Sequence, residues 1–145
     1  MSGRHEELAR QASKAFPNFR NESEMIISFL LSAQYVAVRG HHSAYHCTVG
    51  SGMGLCGSGE ISDAAFYHMC EADFACTPSV QQEHEIYGYY RFKDDILITY
   101  NNFALLNRFF LELKRRSQFF KLLAERTAES TPMLDVMLTK RTLPT

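Results

Sequence analysis

No run of about eighteen apolar residues occurs in this 145-residue chain, which excludes a membrane-spanning helix. Net charge of one sign is also missing: the formal total is −1, so no overall basic field advertises nucleic acid or an anionic membrane. The apolar stretch at residues 25–31 is short, interrupted by Ser28 and preceded by Glu22 and Glu24, which is not the pattern of a signal peptide. Without a secretory signal, Cys47, Cys56, Cys70 and Cys76 read as reduced thiols, and the expected location is intracellular, cytoplasm or nucleus. No Cys-x-x-Cys pair exists, and the spacing of His41, His42, His46, Cys47, Cys56, His68, Cys70 and Cys76 matches no standard zinc ligand set. A cysteine nucleophile paired with His46 or His68 lacks any local signature. Internal repeats and low-complexity tracts are absent. Finally, no aspartate precedes Asp63.

What is present is an ordinary globular balance, 46% hydrophobic and 21% charged, enough to exclude wholesale disorder and suited to one domain. The charge is segregated. Residues 1–39 carry a net +1, residues 40–107 a net −6 and residues 108–145 a net +4. An acidic middle beside a basic end suggests a cation site close to a polyanion surface; chance segregation of solvated charge is the plainer alternative. The basic group Lys114, Arg115, Arg116, Lys121 and Arg126 reads as a solvated helix end or as a contact to a nucleic acid backbone.

Helical apolar spacing covers residues 4–15 and 22–35, with Asn21 or Ser23 as candidate caps of the second helix. Residues 45–49 read as a short strand. Five glycines fall within residues 50–59, a loop whose backbone must adopt unusual angles or admit a close approach. It does not end in Gly-Lys-Ser/Thr, so it is no phosphate-binding P-loop. Residues 60–74 follow as a helix, with Ser58 as its candidate cap. Two β-prone runs, 86–92 and 96–100, flank Lys93-Asp94-Asp95 and predict a β-hairpin with the acids at its turn. Asn101 or Asn102 can cap the next helix, in which Phe103, Leu106, Phe110 and Leu113 form an apolar stripe. The aromatic set Phe103, Phe109, Phe110, Phe119 and Phe120 reads as core. Residues 119–124 and 133–139 are strand candidates, separated by a turn at 129–132. The order predicts an α+β fold, a sheet with helices packed on one face.

Adjacent carboxylates repel, and partial burial raises the cost. A divalent cation such as Mg²⁺ would remove that penalty at Asp94-Asp95, because carboxylate oxygens are its preferred ligands. A solvated turn bearing two acids is the alternative.

The run Tyr89-Tyr90-Arg91-Phe92-Lys93-Asp94-Asp95-Ile96-Leu97-Ile98 resembles the catalytic hairpin of reverse transcriptases, an aromatic and one variable residue before Asp-Asp, with hydrophobic strands on both sides. Residues 50–63 are similar to that family's glycine-rich loop and following helix, with Met53, Gly54 and Ser58 at the positions that line the template and nucleotide pocket. Residues 132–141 are similar to a Phe-Leu-Asp-Val strand that follows the hairpin in retroelement-type enzymes. The resemblance spans about residues 45–142. It implies a palm-type antiparallel sheet in an incomplete polymerase domain, with a helical segment at 1–40 and the partial palm at 41–145. It implies two-metal nucleotidyl transfer with Mg²⁺ (or Mn²⁺), and an RNA template, a DNA primer and deoxynucleoside triphosphates as partners. By position, Asp94 is the direct metal ligand and Asp95 its neighbour; Phe92 and Lys93 take the aromatic and variable positions. Three departures stand out. Leu55-Cys56 replaces the usual Ser-Pro, Gly59 replaces a Pro, and the upstream strand carries no catalytic Asp. The chain alone is therefore expected to be inactive. The alternative is a non-catalytic α+β interaction module derived from a palm and weakly binding nucleic acid.

Overall fold

Leu8, Ala9 and Ala12 recur at helical spacing. The computed structural model, which describes residues 3–52, 57–125 and 130–139, buries all three on one side of α1 (Gly3–Ala12). The helical path runs to Ala15, where its spacing predicts the end, with the last turn tightened to 3₁₀; Pro17 then disfavours helical angles at Phe16, whose φ is −122°. Two single 3₁₀ turns (Ser13–Ala15 and Pro17–Phe19) bridge to α2 (Arg20–Ser32). Ser23 does not cap that helix. It lies inside the first turn, where its hydroxyl donates to the carbonyls of Phe19 (2.8 Å) and Arg20 (3.1 Å). Ile27 and Leu31 of α2 meet the buried side of α1, and Ile61 and Ala65 of α3 (Ser58–Phe66) complete this core. The helical segment at 1–40 thus shares its hydrophobic core with α3.

Past Phe66 the helix widens into a π-helical stretch, Tyr67–Ala75, where a single α-helix was predicted. Its end is closed by the Cys76 amide donating to the Glu71 carbonyl at 2.9 Å, five residues back. A short α4 (Pro78–Glu83) leads into β3 (Ile86–Phe92), which pairs antiparallel with β4 (Asp95–Tyr100). Asn102 caps α5 (Phe103–Arg116), its side-chain oxygen accepting from the amides of Ala104 at 2.9 Å and Leu105 at 3.4 Å. Phe109 and Leu113 of α5 are fully buried, while Phe103, predicted to head the stripe, is half exposed. Phe109 stacks on Phe74 at 4.9 Å, and this second core also holds Phe66, Cys70 and Ile86. Burial of each such large apolar side chain contributes about 1.5–3 kcal/mol.

The remaining strands are β1 (Tyr35–Ala37) with β2 (Ala44–His46), and β5 (Ser130–Met133) with β6 (Val136–Thr139). The described residues are α+β. Their strands form three separate two-stranded antiparallel ladders, not the single sheet predicted, because the strands of each hairpin pair only with each other. Helices do lie on one face of β3–β4, where Ile86, Tyr89 and Ile98 join the core of the π-helical stretch and α5. No strand forms at 119–124; instead Phe120 packs edge-on against Phe66 at 5.2 Å. Residues 133–139 are not one strand either, since Leu134 takes a left-handed φ of 56° and turns the chain back on itself. No described helix is long and apolar enough to cross a membrane.

Candidate functional site

The β3–β4 hairpin is the longest strand pair among the described residues. Its inward residues, Tyr89 and Arg91, pair with Ile98 and Ile96, as strand alternation requires. The register slips between Ile86 and Gly88, a bulge at Tyr87. Gly88 has no room for a side chain: a Cβ there would sit 2.5 Å from the Tyr90 ring and 2.9 Å from the Thr99 hydroxyl oxygen. The Tyr90 ring covers this glycine on the outer face.

At the tip, Lys93 and Asp94 make the two-residue turn, and Asp95 opens β4 opposite Phe92. Lys93 holds a left-handed φ of 53°, an unfavourable angle for a residue with a Cβ. Phe92, Lys93, Asp94 and Asp95 are all exposed. The acids are therefore presented to solvent at the end of a strand pair whose base is buried. Neither carboxylate makes a hydrogen bond or ion pair among the described residues.

One half-buried cation secures the tip. The Arg91 guanidinium grips Glu71 with two parallel bonds, Nε to Oε1 at 2.7 Å and Nη2 to Oε2 at 2.9 Å. Its Nη1 donates to Asp63 Oδ1 at 2.7 Å and to the Lys93 carbonyl at 3.1 Å. The plane also lies over the Phe66 ring, 5.2 Å from its centroid. Burial works against the arginine's charge, but Glu71 and Asp63 outweigh it and raise the guanidinium's pKa. The Tyr89 hydroxyl is buried close to Glu71; burial first, and then the Glu71 charge, push its pKa up. Burial, with Glu71 second, likewise pushes the Cys70 thiol up to about 12.

The glycine-rich loop is held at its described ends. His5 Nε2 contacts the Gly50 carbonyl at 3.2 Å, and the Gly52 amide donates to Gln34 Oε1 at 2.7 Å. Both His5 and Gln34 are buried. The Ser51 and Ser58 hydroxyls are hydrogen-bonded to each other across the loop. Ser58 is not the cap of α3; Gly57, with a φ of 78°, occupies that position. Met53 and Gly54 lie outside the described residues. Of the predicted pocket residues, the structure thus places Phe92, Lys93, Asp94 and Asp95 together, and Ser58 at the start of the helix whose Asp63 reaches Arg91.

Sequence reading missed Glu71, Asp63 and Arg91 as a unit. Counted in twos from the buried Ile86, Arg91 would face outward; the bulge at Tyr87 turns it inward beside Tyr89, so no local signal marked the three as a unit. His5 and Gln34 had no local signal either.

Two carboxylates with water or phosphate oxygens suit Mg²⁺, which dehydrates reluctantly and takes one or two carboxylates. Among the described residues no three His, Cys, Asp or Glu side chains gather to hold a metal. Donor chemistry thus fits a single ion at the turn, and a second ion needs a further carboxylate. At the basic helix end, Arg115 and Arg116 are both engaged by Glu112, and Lys114 lies over the Phe110 ring. Arg126 lies outside the described residues. Comparison of the chain with protein-family models, with curated proteins and with solved structures found no match.

Proposed function

We propose that this chain carries the catalytic hairpin of a reverse-transcriptase-type palm, in an RNA-directed DNA polymerase domain that is incomplete and inactive alone. One observation carries the reading: adjacent acids stand exposed at the tip of a hairpin whose inner face packs on the core, and Arg91 ties that tip to α3, the helix that follows the glycine-rich loop. A solvated turn alone gives no reason for a half-buried arginine to brace it.

In this reading Asp94 would hold Mg²⁺ (or Mn²⁺), with Asp95 beside it; when bound, the ion supplies positive charge to the triphosphate. Phe92 and Lys93 face the primer end, and Met53, Gly54 and Ser58 border the template and the incoming nucleotide. The reaction joins the primer hydroxyl to the α-phosphorus of a deoxynucleoside triphosphate and expels pyrophosphate. The carboxylate needed for a second ion comes from outside the acid pair. A non-catalytic interaction module that retains the palm framework is the competing outcome.

The test is thermal unfolding of the full chain during Mn²⁺ titration. A ligand that binds only the folded state at 100 times its dissociation constant stabilises by about 2.7 kcal/mol. That gain is expected in the wild type and lost in Asp94→Ala. Primer extension by the chain alone with Mg²⁺ is expected to fail, and clear extension would overturn the incompleteness. No Mn²⁺ stabilisation, or stabilisation that survives Asp94→Ala, overturns the metal reading and leaves the interaction module.

A further inference from the structure

We propose that Arg91 is a positioning residue for Asp94, acting through the peptide plane that joins Lys93 to Asp94. The inference rests on the metal-binding reading of Asp94.

The Lys93 carbonyl and the Asp94 nitrogen belong to one rigid planar unit. Arg91 Nη1 holds that unit by its oxygen, at 3.1 Å. The same nitrogen is fixed from the other side by Asp63 at 2.7 Å, and the far edge of the guanidinium is locked by the two bonds to Glu71. Glu71 sits on the π-helical stretch, a rare geometry that recurs at functional sites. Lys93 meanwhile sits at a φ of 53°, as Leu134 does at 56° in the β5–β6 turn, so the angle belongs to the two-residue turn and the clamp acts on the carbonyl that follows it. The clamp therefore sets where the Asp94 side chain departs from the backbone, while touching neither carboxylate of the acid pair. Groups bonded directly to a metal ligand typically contribute on the order of 10–100-fold in metal affinity, and a brace on the adjoining peptide is expected at the lower end of that range.

Arg91→Lys keeps the charge and removes the planar fork. In the full chain, the backbone ¹⁵N order parameter of Asp94 is expected to fall from about 0.85 toward about 0.6. The Mn²⁺ dissociation constant, read from paramagnetic broadening at Asp94, is expected to rise by on the order of tenfold or more. An unchanged order parameter overturns the proposal, as does wild-type Mn²⁺ affinity in the variant. A drop in order with no Mn²⁺ binding even in the wild type supports the clamp and defeats the metal reading instead. Should Arg91→Lys not fold, the wild-type chain decides. Separate, slowly exchanging Nη proton signals for Arg91 are expected, and rotationally averaged signals overturn the clamp.

Discussion

Glu71 and Asp63 both pair with Arg91 at 2.7 Å, yet they differ sharply in burial, with side-chain exposures of 4% and 43%. That difference predicts unequal costs when each is neutralised. Glu71→Gln keeps the shape but leaves an arginine, itself only 15% exposed, without its buried partner. Breaking a buried pair costs about 3–5 kcal/mol, because the remaining charge stays desolvated. Asp63 still offsets part of that charge, so the lower end, about 3 kcal/mol, is expected. Asp63→Asn removes a pair screened by solvent, and exposed pairs contribute within about 1 kcal/mol. Urea unfolding followed by circular dichroism separates the two. With a slope of roughly 1–3 kcal/mol per molar, the Glu71 variant's midpoint falls by about 1 M or more, and the Asp63 variant's shift is smaller by at least half. Equal losses in the two variants, or a larger loss for Asp63→Asn, would show that burial does not set the strength of this clamp. Desolvation would then not explain how Arg91 is held.

Two further outcomes concern the scaffold. Phe109→Ala removes a fully buried ring that stacks on Phe74 and meets the edges of His84 and Tyr89. A loss of about 3–5 kcal/mol in the same urea assay is expected, and a loss below about 1 kcal/mol would contradict the core assignment. Hydrogen bonds from Arg115, and after them from Arg116, hold the Glu112 carboxyl at about 2, below its ordinary 4.5. A depressed folded-state pKa stabilises above the unfolded value and loses that contribution as pH falls through the folded one. Glu112→Gln should therefore lower the melting temperature at neutral pH, and the gap from the wild type should close between pH 4.5 and about 2. A gap that is constant over this range would contradict the pairing.

The readable parts of this protein are the local ones. Two β-prone runs flanking a polar Lys-Asp-Asp located the β3–β4 hairpin and its turn, because an antiparallel pair joined by two residues is closed by near neighbours. The Asn102 cap was legible for the same reason: its oxygen bonds amides only two and three residues away. Helical periodicity found α1, α2 and α5. It placed the α5 stripe on Phe110, whereas contact with Phe74 and the hairpin makes Phe109 the buried ring.

Other features depend on partners distant in sequence. Arg91 finds Glu71 and Asp63 20 and 28 residues away, and the glycine loop is tied to His5 and Gln34 45 and 18 residues away. Residues 119–124 have β-prone composition, but Phe120 gains more by filling the edge of the core at Phe66 than a lone strand gains without a neighbour. The amino-acid sequence alone therefore determined the α+β order and the exposed acid turn, since backbone bonding and side-chain period act over a few residues. Only the tertiary structure decided what braces that turn and how the strands divide into separate ladders. Buried charge must be neutralised by whatever the fold brings within reach, and strand edges pair only with what arrives beside them.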